Sequence, residues 1–74
     1  MFNEFLAVAN KLIGMGCIVN MVLMDNDTIM ITFNDEYSED EGYMIDDFIN
    51  FIWDCRRDIL VEEGYNIAYD FYEE

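Results

Sequence analysis

The sequence predicts one small α+β domain over residues 1–74. The expected order is α-β-β-α-β, with a three-stranded antiparallel sheet and two helices on one face. Three observations lead there. Two segments repeat apolar residues at helical spacing. Three short segments are apolar or alternate with period two. Gly and Asp/Asn clusters punctuate the boundaries.

Residues 2–14 read as a helix, with Phe5, Val8, Ala9, Leu12 and Ile13 on its apolar side. Asn3 suits an N-cap and Glu4 the first turn. Gly14 and Gly16 are natural stops. Residues 17–24 (Cys-Ile-Val-Asn-Met-Val-Leu-Met) read as a strand apolar on both faces. Asp25-Asn26-Asp27 is a turn, because these residues tolerate left-handed backbone. Residues 28–34 alternate, with Ile29, Ile31 and Phe33 facing one way, so the two strands form a hairpin.

Residues 35–42 form an acidic loop and residues 43–62 a second helix. Its core stripe is Ile45, Phe48, Ile49, Ile52, Ile59 and Leu60. Gly64 caps it, and residues 65–72 alternate as a third strand. A helical crossover returns strand three parallel to strand two. Pairing it beside strand one gives the order 2-1-3 and puts the strand with two apolar faces in the centre.

Composition bounds the function. Seventeen Asp and Glu face only Lys11, Arg56 and Arg57, a net charge of −14. Small soluble domains usually carry about 2–8 units. Chains this acidic are often disordered, but 54% hydrophobic residues provide for a core. The excess costs stability through self-repulsion, so it points to a partner of opposite sign. Ile, Asn, Phe, Tyr and Met are abundant, a lean toward AT-rich codons that would favour Lys as well. The single Lys therefore argues for selection against positive charge.

Catalysis is not expected. There is no His, no cysteine pair at metal-binding spacing, and Ser38 has no base partner except carboxylates. The carboxylates are too many to single out an acid–base pair, and Gly14-Met15-Gly16 lacks the rest of a phosphate loop. Asp25-Asn26-Asp27-Thr28-Ile29 misses the third ligand and central Gly of a calcium loop, and the 35–42 loop has the wrong spacing. No metal or cofactor is expected. Cys17 and Cys55 read as buried, reduced thiols. The apolar stretch from Phe2 to Cys17 has no basic leader, and Glu4, Asn10 and Lys11 interrupt it, so it does not read as a signal peptide. No run reaches the roughly 20 apolar residues of a membrane span. A cytoplasmic protein is expected, in the host cytoplasm if a phage encodes it.

The acids fall into clusters. Asp35, Glu36, Glu39, Asp40 and Glu41 lie in the loop. Asp47, Asp54, Asp58 and Glu62 form a helix-two stripe that Asp46 widens. Glu63, Asp70, Glu73 and Glu74 extend the charge toward the C-terminus, giving a continuous negative band. The loop acids, the stripe with Asp46, and the exposed Tyr37 are the candidate partner-binding residues. Phe48 and Trp53 are assigned to the core. Arg57 is placed to pair with Asp54 and stack on Trp53.

The expected partner is a basic nucleic-acid-binding protein, with no direct binding to nucleic acid or membrane, both of which repel negative charge. The expected activity is inhibition by imitation of DNA or RNA phosphates. In size, acidity and lack of catalytic residues the chain looks like phage or mobile-element counter-defence proteins: anti-CRISPR and anti-restriction proteins and nuclease or glycosylase inhibitors. The alternatives are an acidic immunity or antitoxin-like protein that binds a basic toxin, and an interaction domain, dimeric through its aromatics, whose charge only keeps it soluble.

Overall fold

The computed structural model describes residues 1–72. Its order is α1 (Phe2–Met15), β1 (Ile18–Leu23), β2 (Thr28–Asn34), α2 (Glu39–Glu63) and β3 (Asn66–Tyr72). The α+β class, the element order and the single domain agree with the sequence. The sheet does not follow the antiparallel 2-1-3 arrangement. Its order is β1-β2-β3, with β1 antiparallel and β3 parallel to the central β2.

The connections explain this arrangement. Gly16 takes a left-handed conformation (φ 81°) directly after α1. Its N–H donates to the Ile13 carbonyl and that of Cys17 to Leu12, a helix-ending pattern that reverses the chain sharply. The tight turn lays α1 over β1. With that place taken, α2 packs toward β3, and β3 joins the free edge of β2 through a direct βαβ crossover. β2 is then buried on alternate residues, as its pattern predicts.

β1 is consequently an edge. Ile18 is its only fully buried residue, and Val19, Val22 and Leu23 are exposed. Opposite Phe33 the register slips between Ile18 and Asn20, a bulge that leaves Val19 as the extra residue. The apolar run that suggested a central strand lies on the open rim instead.

The hairpin turn behaves as its residues predict. Asp27 has φ 58°, its N–H donates to the Met24 carbonyl, and the Met24 N–H donates to that of Thr28. This is a three-residue loop closed by a left-handed residue.

The core lies between the helices and one sheet face. Phe5, Leu12, Ile31, Phe33, Ile45, Phe48, Ile52 and Ile59 are its largest apolar members. Phe48 is the hub: its ring stacks on Phe5 at 5.6 Å and meets the edge of Phe33 at 6.1 Å. Leu60, expected in the core, is exposed, and Cys55 takes the inward position. On α1, Val8 and Ile13 are exposed while Phe5, Ala9 and Leu12 are buried. In a two-layer domain each helix meets the sheet along one narrow line, so flanking apolar residues stay in water. α1 begins one residue after Met1 with no side-chain cap, rather than at an Asn3 cap.

Candidate functional site

The acidic segment is more helical than its charge suggests. α2 begins at Glu39, and Ser38 caps it through a reciprocal capping box with Glu41. The Glu41 N–H donates to Ser38 Oγ at 3.3 Å, and the Ser38 N–H donates to Glu41 Oε1 at 3.2 Å. Three carboxylates, Glu39, Asp40 and Glu41, thus occupy the first turn, where the helix dipole favours negative charge. The true loop is Asp35–Tyr37. It is held by the Asn34 side chain, which accepts from the Glu36 N–H at 2.9 Å and donates to the Gly16 carbonyl at 3.2 Å. The capping motif Ser38-x-x-Glu41 was the available sequence signal for this early helix start.

Every candidate acid is exposed except Glu41, which is half-buried. Its carboxylate also accepts from the Ser38 hydroxyl at 2.9 Å and the Cys17 thiol at 3.5 Å. The bonds from Ser38 hold its pKa below the usual glutamate value. Glu41 is already committed within the fold and has less to offer a partner than its neighbours.

At 3.6 residues per turn, Asp40, Asp47, Asp54 and Asp58 fall on one flank of α2, the side facing α1. Asp47 and Lys11 line the same interhelical groove. From Asp40 to Asp58 the stripe runs about 27 Å, over which one DNA strand presents roughly eight phosphates. The four carboxylates have about half that density, Glu39 adds to the first turn, and Asp35 and Glu36, just before the helix, line a cleft with Val19, Asn34 and Tyr72. Glu62 lies near the far end. Asp46 is on the opposite flank.

The expected continuous band toward the C-terminus is interrupted. Asp70 pairs with Thr32 and, by strand alternation, belongs to the sheet face away from the helices. Glu73 and Glu74 lie outside the described residues.

The aromatics divide differently than expected. Phe48 is buried, but Trp53 is 57% exposed, because it falls on the α2 flank away from α1. Arg56, rather than Arg57, covers its ring at 4.7 Å. Tyr43 and Val61 are also exposed, at helical positions beside Asp54 rather than beside Trp53, and Tyr37 is exposed as expected. Trp53 next to Arg56 and Arg57 was a readable signal for a surface patch, since these residue types dominate binding hot spots.

Charge is also partitioned along the chain. Residues 1–24 hold one acid, Glu4, and one base, Lys11. Residues 25–74 hold sixteen acids against Arg56 and Arg57, so the whole net charge of −14 lies there. In the fold this separates α1 and β1, which are nearly uncharged, from the acidic α2 and its flanking loops. That split was countable in the sequence.

Among the described residues no group of three or more His, Cys, Asp or Glu side chains could hold a metal ion. No described helix is long and apolar enough to cross a membrane. Comparison with protein-family models, curated proteins and solved structures finds no match for this chain.

Proposed function

We propose that this protein is a non-enzymatic inhibitor that binds the basic nucleic-acid-binding surface of another protein and occupies its phosphate sites. The supporting observation is the exposed carboxylate flank of α2, continued at its N-terminus by Asp35, Glu36 and Glu39. These acids project from a rigid helix, so their spacing is held without a partner. Long-range attraction makes such an association fast and salt-sensitive. The phage or mobile-element counter-defence setting belongs to this reading.

The test is capture from lysate at low salt, followed by elution with DNA. A mimic releases its target when nucleic acid is added, and Asp47→Lys, Asp54→Lys and Asp58→Lys together abolish capture while the fold is retained. Recovery of no nucleic-acid-binding protein, or capture unaffected by the triple reversal, overturns the reading.

A second reading, the immunity or antitoxin-like binder, is favoured by one observation: the exposed Trp53 under Arg56. An anchor of that kind suits a protein pocket rather than a phosphate track. In that case Trp53→Ala weakens binding more than the triple reversal does, and DNA does not displace the target.

A further inference from the structure

We propose that the open edge of β1 pairs with β1 of a second copy, giving a two-fold dimer with a continuous six-stranded sheet. This inference does not depend on the inhibitor reading, and it uses the β1 edge rather than the carboxylate flank of α2.

The ladder settles which backbone groups are free. Met24 donates to Thr28 across the hairpin at 2.8 Å. Because antiparallel hydrogen-bonded pairs alternate, Val22 and Asn20 also point their N–H and C=O groups toward β2. Met21 and Leu23 point theirs outward. Two copies can therefore pair Met21 with Leu23 of the second copy, and Leu23 with its Met21, forming four hydrogen bonds. Val22 then lies on the two-fold axis opposite its own counterpart.

Over Met21–Leu23 the side chains agree with that register; at its ends Asp25 comes opposite Val19, which borders Asp35 and Glu36, so screening by salt favours the pairing. β1 carries no charged residue and no Pro, and its bulge at Val19 leaves Asn20–Leu23 as the regular stretch open to pairing. Met21 and Leu23 border an apolar cleft shared with Phe2, Leu6 and Tyr65. Leu23 is 57% exposed there. The α1 flank above this edge carries Leu6, Asn10 and Ile13 at helical spacing, again without charge, whereas Glu4 and Lys11 lie on the other flank. Two chains of charge −14 repel, and the uncharged α1–β1 side is where they can approach. A second copy matches this surface because an isologous interface needs only to be self-complementary.

Sedimentation velocity at about 10 μM to about 1 mM protein tests the proposal. A dimer is expected, and it tightens several-fold between about 0.05 and about 0.5 M salt as repulsion is screened. Binding to a basic partner moves the other way with salt, so failure of either reading leaves the other standing. Val22→Glu sets like charges directly opposite each other and reduces the dimer at least tenfold with an unchanged circular dichroism spectrum. Val22→Cys gives the register: cysteines at a non-hydrogen-bonded pair are close enough to bridge, so mild oxidation yields a covalent dimer. Val19→Cys, equally exposed but well away from the axis, does not. The native Cys17 and Cys55 are buried and do not interfere. A monomer at every concentration in high salt, a dimer insensitive to Val22→Glu, or equal cross-linking at both positions overturns the proposal.

Discussion

The Cys17 thiol donates a hydrogen bond to Glu41 Oε2 at 3.5 Å, joining the start of the hairpin to the first turn of α2 across 24 residues of chain. The same carboxylate closes the capping box with Ser38. One acid of the negative cluster is therefore a fastener between elements.

That role sets a pH dependence. Glu41 titrates below the usual glutamate value in the fold because Ser38 bonds its charged form. Its contribution is present above the unfolded-state pKa and disappears as pH falls through the lower folded value. Wild-type protein is expected to lose part of its denaturant midpoint across that acidic window, and Glu41→Gln to lose less there. Ser38→Ala, which removes the cap, costs about 1 kcal/mol at neutral pH. Urea melts of the three proteins across the window check both statements.

The thiols give a second prediction. Burial raises the pKa of Cys17, and its bond to Glu41 adds to the effect; burial is also the main cause at Cys55. Both resist thiolate chemistry in the fold. At about pH 8, with free thiols near pKa 8.5, a disulfide reagent should label neither cysteine until the chain unfolds. Glu41→Ala should speed labelling of Cys17 and leave Cys55 unchanged. Prompt labelling of both in the native protein would contradict the packing described.

The aromatic hub supplies the largest stability effect. Phe48 is 1% exposed and bridges α1 to the sheet through Phe5 and Phe33. Truncating a buried Phe costs about 3–5 kcal/mol. A domain of this length has roughly 4–11 kcal/mol in total, at about 0.05–0.15 kcal/mol per residue. Phe48→Ala is expected to leave the chain largely unfolded or close to it at 37 °C, and Phe48→Leu to keep it folded with a lower midpoint. Circular dichroism melts distinguish the two.

Element existence was legible in the sequence because period and punctuation are local. The alternation of Thr28–Asn34 and the stripe from Ile45 to Ile59 encode each element's own burial. Sheet order is not local. It depended on which surface α1 occupies after the Gly16 turn, and nothing within β1 distinguishes an apolar centre from an apolar edge. Trp53 was misplaced for a related reason: its flank of α2 is inward only if another element covers it. Of the site, the exposed acids were legible residue by residue. Their division between two helix flanks follows from helical geometry, and the placing of Asp70 on the far sheet face follows from its alternation with Ile67, Tyr69 and Phe71.

Tyr37 owes its position to a glycine. A Cβ on Gly42 would stand 2.9 Å from the Tyr37 ring, so the ring rests on the bare helix backbone. Gly42→Ala gains up to about 1 kcal/mol in helix propensity and pushes the ring away. Stability is expected to stay within about 1 kcal/mol of wild type, with a large change in the Tyr37 ring-proton shifts. If Tyr37 contacts the partner, Gly42→Ala weakens binding without removing any charge, and this separates shape from electrostatics at the acidic end.

The final prediction concerns the cost of the charge itself. Most carboxylates lie on α2 and its flanking loops, facing water, so in the free protein they repel one another. Added salt screens that repulsion, with a Debye length of about 10 Å at 0.1 M. The melting temperature of the free protein should therefore rise with sodium chloride, most steeply at low concentration. Replacing Asp47, Asp54 and Asp58 by Lys changes the net charge from −14 to −8, because each reversal counts two units. Lys also has at least as good a helix propensity as Asp. The triple variant should melt higher than wild type at low salt and respond less to added salt. A protein that becomes more stable when its acids are reversed, yet loses its target, carries those acids at a cost to its own fold. If the triple variant melts lower at every salt concentration, the stripe is structural and its place in partner binding is lost.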